Sequence, residues 1–207
     1  MKEFEVHEGE RVEVHAGEKA EVYKGGFAQV YEGGEAQILG GAANVWDGGR
    51  VTVVDGGMVG IHRGARGELY RDGRALVSEG GRVEVNTGGY AQVESGGYAE
   101  INSGGTSEVR KGGRAVIHDG GWSVIHDGGE VVIHKGGEAL VLEGGVAVVL
   151  EGGVAKGVHK GCIHSYPRGT LTVHIGSMVE HFDAGGYVDQ IVERFTQQRA
   201  HTIGSIR

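Results

Sequence analysis

The chain has 207 residues, of which 43 are glycine and one is proline, and its formal net charge at pH 7 is −8. Glycine does not recur at every third position and proline is scarce, so the composition excludes collagen. The acidic balance argues against a nucleic-acid partner, because phosphate binding requires a basic surface.

An eight-residue repeat runs from Gly9 to about Lys160 and reads G-G-x-a-x-V-x-x, where a is a small residue. The position written V holds Val, Ile or Leu in every unit: Val14, Val22, Val30, Ile38, Val45, Val53, Ile61, Leu69, Val77, Val85, Val93, Ile101, Val109, Ile117, Ile125, Ile133, Val141 and Val149. Apolar residues two apart predict a strand with one inward face. The glycine pair predicts a turn, because glycine adopts positive φ without steric cost.

One such unit cannot fold alone. It buries one Val or Ile, worth roughly 1.5–3 kcal/mol, whereas ordering its backbone costs about 1–2 kcal/mol for each residue. Stability must come from stacking equivalent units into a continuous core. We therefore predict an all-β fold, a parallel β-solenoid of eight-residue strand-turn units, with an antiparallel meander of hairpins as the competing arrangement.

The outward position after each glycine pair indicates how many strands form one coil. Taking every second unit gives a mostly charged set: Lys19, Glu35, Arg50, Arg66, Arg82, Tyr98, Arg114, Glu130 and Val146. The remaining units hold most of the large apolar residues: Arg11, Phe27, Ala42, Met58, Arg74, Tyr90, Thr106, Trp122, Glu138 and Val154. Sorting by threes gives no such segregation, so we predict two strands per coil, with three as the alternative.

The repeat fails near Gly157, where the Val or Ile position has become glycine. We predict a solenoid over residues 1–160 and a small α+β capping or assembly segment over residues 161–207. Within the latter, Leu171, Val173 and Ile175 alternate as a strand, and residues 178–182 form another. A short helix is predicted over residues 189–200, with an apolar face made of Val188, Ile191, Val192 and Phe195.

Units such as GGYAQVESGGYAEINSGGTSEVRKGG (Gly88 to Gly113) resemble the Gly-Gly repeats of AIDA-type autotransporter adhesin passengers. The resemblance covers roughly Gly9 to Gly153 and implies a β-solenoid. Those adhesins carry an export signal, whereas the segment MKEFEVHEGE has no apolar region, so we expect no signal peptide in this chain. Similar repeats occur in phage tail and fibre proteins, which need none. No run is long enough to cross a bilayer, so we expect no membrane insertion.

Three groups of residues are candidates for function. Aromatic side chains suited to contact with sugars are Tyr23, Tyr31, Trp46, Tyr90, Tyr98 and Trp122. Outward apolar residues predicted to form an oligomer or partner surface are Val116, Val124, Val132, Leu140, Leu142, Val148 and Leu150. His159, Cys162 and His164 form an H-x-x-C-x-H cluster that could bind metal, but a fourth ligand is not evident and a structural role is favoured.

His118, His126 and His134 occupy the same outward position in successive units. With two strands per coil, His118 and His134 stack on one sheet and His126 lies on the other, which argues against one three-histidine site. The carboxylates are spread evenly along the chain rather than gathered at one place, so we predict no enzyme activity and no cofactor.

The sequence therefore predicts a non-enzymatic structural or adhesive solenoid, most simply a phage virion component such as a tail, fibre or surface-decoration protein. Its expected location is the virion or a cell surface. Expected partners are further copies of the chain in a trimer or dimer, other structural proteins and cell-surface carbohydrate. The alternatives are a fragment of a bacterial surface adhesin and a carbohydrate-active enzyme on the same scaffold.

Overall fold

The computed structural model describes residues 2–157 and, beyond them, the backbone of three strands at 162–165, 170–173 and 178–181. Every regular element in this part of the chain is a β-strand, which confirms the all-β prediction. The predicted helix over residues 189–200, Ile175 and Phe182 lie outside the described residues.

The strands are β1 (Lys2–Val6), β2 (Arg11–Val14), β3 (Glu18–Tyr23), β4 (Phe27–Val30), β5 (Glu35–Leu39), β6 (Ala42–Val45), β7 (Arg50–Asp55), β8 (Met58–Ile61), β9 (Arg66–Leu69), β10 (Arg74–Val77), β11 (Arg82–Val85), β12 (Tyr90–Val93), β13 (Tyr98–Ile101), β14 (Thr106–Val109), β15 (Arg114–Ile117), β16 (Trp122–Ile125), β17 (Glu130–Ile133), β18 (Glu138–Val141), β19 (Val146–Val149), β20 (Val154–Gly157), β21 (Cys162–Ser165), β22 (Thr170–Val173) and β23 (Met178–His181).

Successive strands alternate between two parallel sheets. The odd-numbered strands form a 12-stranded first sheet and the even-numbered strands an 11-stranded second sheet. Neighbouring strands pair in parallel with partners one coil apart, as in Val85 with Ile101 and Val77 with Val93. One coil is therefore two repeat units, so the prediction of two strands per coil is confirmed and the three-strand alternative is wrong. At about 4.8 Å per strand, the first sheet is roughly 50 Å long.

The core lies between the two sheets and consists of the predicted Val and Ile column. Each of these side chains, from Val14 to Val149, is 0% exposed. The small residues two positions earlier complete the interior, which is polar at one place. There, Ser107 and Ser123 on adjacent strands of the second sheet hydrogen-bond through their Oγ atoms at 2.7 Å, so both buried hydroxyls are satisfied.

The short unit at residues 33–39 is accommodated by a local irregularity. The pairing of β5 with β7 shifts by one residue between Ile38 and Leu39, and Tyr23 bridges Gly40 outside the regular ladders. Ile38 and Val45 on either side remain fully buried. The missing residue is therefore absorbed at the corner, and the inward face of the strands is preserved as the sequence predicts.

Parallel pairing continues beyond the predicted boundary at residue 160. β19 pairs with β21 and β21 with β23 on the first sheet, while β20 pairs with β22 on the second. Val146, Cys162 and Met178 are successive partners, so the register of one coil persists after the glycine pairs are lost. The two sheets therefore extend into the segment that the sequence predicts to be a cap.

The two glycines of a turn have different roles. Gly80 has φ +82°, in the left-handed region, and a Cβ placed on it would make only ordinary contacts, the nearest at 3.6 Å. A Cβ on Gly81 would instead overlap the carbonyl oxygen of Ile61 in the preceding coil. The interpretation that both glycines supply positive φ is therefore wrong for Gly81, which is required by close backbone approach, although Gly57, also the second of its pair, does have φ +91°.

This division accounts for only part of the natural exceptions in the glycine pairs. Asp72 replaces a first glycine and adopts φ 61°, a conformation that Asp tolerates. Glu10 and Glu18 replace second glycines at the two N-terminal turns, and their carboxylates accept hydrogen bonds from the backbone N–H groups of His7 and His15, at 2.8 and 3.0 Å. Ala65 also replaces a second glycine and is fully buried, so a Cβ is accommodated at that turn.

We predict that Gly80→Asn and Gly81→Asn, two substitutions within one turn, differ sharply in their effect on stability. Asn tolerates the left-handed conformation of position 80, so that variant should lose less than about 1 kcal/mol. At position 81 the new Cβ must displace a backbone carbonyl, and we expect a loss of roughly 1–3 kcal/mol or more. Urea unfolding followed by circular dichroism measures both, and equal losses would contradict the steric explanation.

Candidate functional site

The outer faces of the sheets are the surfaces available for function, because the space between the sheets is filled. On the first sheet the predicted charged column is present: Lys19, Glu35, Arg50 and Arg66 are successive partners. On the second sheet Phe27, Ala42, Met58 and Arg74 align in the same way. The segregation predicted from the sequence is therefore a real difference between the two faces.

Large apolar side chains are exposed mainly on the second sheet. Trp46, Met58, Leu76 and Trp122 lie on its strands or at their ends, and Met58 is 62% and Trp122 42% exposed. On the first sheet Tyr70 is the large exposed hydrophobic among the described residues. We call the outer surface containing the first four residues the second-sheet face; exposed apolar groups that lie along one face are typical of a contact surface.

Aromatic rings stack along one corner of the second sheet, at the residue that follows each strand. His15 stacks on Tyr31 with ring centroids 5.1 Å apart, and Trp46 stacks on His62 at 3.8 Å. The Tyr31 hydroxyl donates to Gln29 at 2.5 Å, and His62 Nδ1 lies 3.2 Å from Ser78 Oγ. One face of the Trp46 indole is thus occupied by imidazole, and the residue as a whole is 37% exposed.

The structure places the six predicted sugar-binding aromatics on both sheets. Tyr31, Trp46, Tyr90 and Trp122 lie on the second sheet, whereas Tyr23 and Tyr98 lie on the first. Tyr98 is only 7% exposed, so its ring is not part of an accessible surface. The four on the second sheet are the ones that remain candidates as a group.

Hydrogen bonds and burial perturb two of these tyrosines. The Tyr23 hydroxyl donates to Glu21 at 2.8 Å, and this bond to a carboxylate raises the pKa of Tyr23, while its ring stacks on His7 at 5.0 Å. Burial raises the pKa of Tyr90, with a further contribution from the Glu108 carboxylate. Both phenols therefore stay neutral and act as hydrogen-bond donors at physiological pH.

The predicted partner surface is divided between the sheets. Val116, Val132, Val148 and Leu150 lie on the first sheet, and Val124, Leu140 and Leu142 on the second. Val116, Val132 and Val148 pack with Tyr98 into a second apolar cluster outside the main core, which we call the outer cluster. Its members are buried, whereas Val124, Leu140 and Leu142 are half-buried. The sequence pattern did not distinguish the buried residues from the half-buried ones, because both columns carry Val and Leu at outward positions.

A groove of about 1080 Å³ runs along the outer face of the first sheet over its N-terminal strands. Its polar lining includes Lys19, Arg50, Arg66, Glu68 and Glu84. Lys19 pairs with Glu35 at 3.3 Å, and Glu68 accepts a hydrogen bond from the Tyr70 hydroxyl at 3.1 Å. The groove is therefore lined by charged side chains of both signs together with apolar residues such as Phe4 and Val51, and like charges follow one another in places, as Arg50 and Arg66 do.

The histidines are placed as the two-strand coil predicts. His118 and His134 stack with ring centroids 5.1 Å apart, and His126 follows a strand of the second sheet. Within the described residues, no three His, Cys, Asp or Glu side chains are grouped so as to hold a metal ion. His159 lies outside the described residues, and only the backbone is described at Cys162 and His164, so the H-x-x-C-x-H cluster stays a prediction.

No model of a known protein family matches the chain, and no curated protein sequence matches it. Among solved structures, one similar chain is a TibC-catalysed, hyper-glycosylated TibA fragment. The identity is 21%, the match covers 86% of this chain and 91% of that chain, and the TM-score is 0.41. A likeness of this degree transfers no function. Within the described residues, no helix is long and apolar enough to span a bilayer.

We predict that the Trp46–His62 stack reports acidification. Burial holds the pKa of His62 below its usual 6.5, so the imidazole is neutral at pH 7 and the stabilisation from its neutral form is lost as pH falls through the lowered value. Protonation should quench Trp46 fluorescence, measured in a Trp122→Phe background, with a midpoint below pH 6.5. His62→Gln should abolish the transition, and a midpoint at or above 6.5 would contradict the assignment.

Proposed function

We propose that the chain is a non-enzymatic, rigid β-solenoid with an adhesive or structural role, and that the second-sheet face is its binding surface. The observation that carries this proposal is the concentration of exposed Trp46, Met58, Leu76 and Trp122 on one sheet of a fully packed rod. A rod with a filled interior offers no buried cleft for chemistry. Its regular outer face instead presents similar groups at intervals of about 4.8 Å.

Cell-surface carbohydrate is the ligand class that this face suits. Half-buried amide side chains at Gln29, Asn44 and Gln92 lie in the central outward column of the second sheet, between the aromatic residues of the flanking columns. Aromatic rings contact the apolar faces of sugars, and amides donate to and accept from hydroxyl groups. The repeated spacing of the strands suits an extended polymer better than a single small molecule.

We predict that Trp46→Ala lowers the affinity for a bound glycan by about tenfold or more, as expected of a buried aromatic contact. Tyr70→Ala, which removes a comparably exposed aromatic from the first sheet, should leave affinity unchanged. A glycan array identifies the ligand and calorimetry measures the affinities. An equal loss in the two variants, or no loss in either, would contradict a binding surface on the second sheet.

Self-association is the second role that we propose for the second-sheet face. Near its C-terminal end, Trp122, Val124, Leu140 and Leu142 lie close together with exposed or half-buried side chains. Adjacent apolar side chains of this kind are buried when a copy of the same chain packs against them. A trimer or dimer built on this end leaves Trp46 and Met58 accessible farther along the rod.

We predict that the chain sediments as a dimer or trimer at low micromolar concentration and that Leu140→Asp converts it to a monomer, because a desolvated charge is unfavourable in an apolar interface. Thr52→Asp, at a half-buried outward position of the first sheet, is the matched control and should leave assembly intact. A monomeric parent chain would rule out this interface.

The particular setting that we propose is a phage virion, as a tail, fibre or surface-decoration protein, with a bacterial surface adhesin fragment as the alternative. The presence of the chain in purified particles, measured by mass spectrometry, tests the first setting, and neighbouring capsid and tail genes would support it. Glycan turnover that is lost in Glu68→Gln would instead favour the carbohydrate-active enzyme, since Glu68 lies in the first-sheet groove.

A further inference from the structure

A glycine interrupts the central column of outward side chains on the second sheet. In the strands from β2 to β20, this position carries a side chain everywhere except in β8, where it is Gly60. Gly60 pairs with Asn44 in β6 and with Leu76 in β10, and its outward neighbours within β8 and just beyond it are Met58 and His62. These four side chains bound a gap in the second-sheet face, which we call the Gly60 notch.

Two polar atoms converge on the space above Gly60. A Cβ placed on Gly60 would lie 2.6 Å from Asn44 Oδ1 and 2.9 Å from His62 Nε2. The imidazole is held in this orientation by Trp46, on which it stacks at 3.8 Å, and by Ser78 Oγ, which lies 3.2 Å from Nδ1. Nε2 is therefore the ring nitrogen that faces the notch. Within the described residues, neither Nε2 nor Asn44 Oδ1 forms a hydrogen bond.

The polar side of the notch is uncharged at neutral pH. Burial lowers the pKa of His62, so its imidazole is neutral at pH 7. A neutral imidazole beside an amide gives no net charge with which to attract an ion. A hydroxyl group both donates and accepts hydrogen bonds. One hydroxyl group placed above Gly60 can therefore bind Asn44 Oδ1 and His62 Nε2 together.

The other two sides of the notch are apolar and accessible. Met58 is 62% exposed and Leu76 43% exposed. A site that combines apolar contact with a few placed hydrogen-bonding groups is typical for a small organic ligand. A pyranose ring matches this arrangement, because it carries C–H groups and hydroxyl groups on one rigid frame.

We propose that the Gly60 notch is a subsite for one neutral hexopyranose unit. One hydroxyl group of the sugar binds between Asn44 Oδ1 and His62 Nε2, and its C–H groups contact Met58 and Leu76. This inference rests on the function proposed above, because it places one sugar of the glycan on the second-sheet face. It also sets the register of an extended glycan, since β8 is the rung at which a sugar can approach the backbone.

Titration of the full-length chain with the methyl β-glycosides of glucose, galactose and mannose tests the subsite. At least one of them should shift the Trp46 indole N–H resonance, with a Kd of about 1–10 mM for a ligand of this size. Gly60→Ala should weaken that binding by about tenfold or more, because the new Cβ prevents both hydrogen bonds. Thr52→Ala, at the equivalent outward position of the first sheet in the same coil, should leave the affinity unchanged.

Failure of the subsite is distinguishable from failure of the proposed function. If none of the three glycosides binds, or if Gly60→Ala binds as well as the parent chain, the notch is not a sugar subsite, whereas a glycan that depends on Trp46 still supports the second-sheet face. An equal loss in Thr52→Ala also overturns the subsite. If Gly60→Ala lowers the Tm, His62→Phe decides, because it keeps a ring against Trp46 but removes Nε2. A loss of about threefold or more then supports the subsite, and a smaller loss overturns it.

Discussion

The parallel pairing of each strand with the strand one coil away is the constraint on which the rest of the structure depends. Because Val85 pairs with Ile101 and Val77 with Val93, every inward residue stacks on an inward residue and every outward residue on an outward one. The same register that seals the Val and Ile core thereby creates columns of outward side chains. In this fold a surface is determined by residues at intervals of one coil, and neighbours in sequence lie on opposite faces or opposite sheets.

Much of the fold follows from the sequence for this reason. The Val and Ile column could be assigned to the core from the sequence, because its spacing is strict and a column of branched aliphatic side chains is stable only when it is buried. The number of strands per coil followed from Arg50, Arg66 and Arg82 recurring in alternate units, while Phe27 and Met58 occupied the others. Apart from Gly57, the second glycine of a pair was misinterpreted, since its close approach to a carbonyl, such as that of Gly81 to Ile61, involves a residue twenty positions earlier. A local pattern carries no information on such a contact.

The candidate sites were less predictable than the core. Val132 and Leu140 are equivalent by sequence, yet one is 3% exposed and the other half-buried. The repeat assigns both residues the same outward position, so the pattern alone does not distinguish their burial. Similarly, Tyr98 reads as an exposed aromatic beside Tyr90, but it follows the first-sheet column toward Arg114 and the outer cluster. Strands near residues 171–175 and 178–182 were predicted, but their place in the two sheets was not, because the expected glycine pairs disappear while Val146, Cys162 and Met178 keep the coil register.

Stacking of identical positions also limits which side chains the outer columns can carry. Unlike charges in successive coils attract, as in Lys19 with Glu35 at 3.3 Å and Arg114 with Glu130 at 3.1 Å, although pairs this exposed contribute little. Rings and hydroxyls stack without repulsion, as Trp46 and His62 do outside and Ser107 and Ser123 do inside. An apolar column is also compatible with the ladder but remains in contact with water unless it is covered. The outer cluster is buried, whereas the second-sheet face retains exposed apolar surface that a ligand or a second copy can bury.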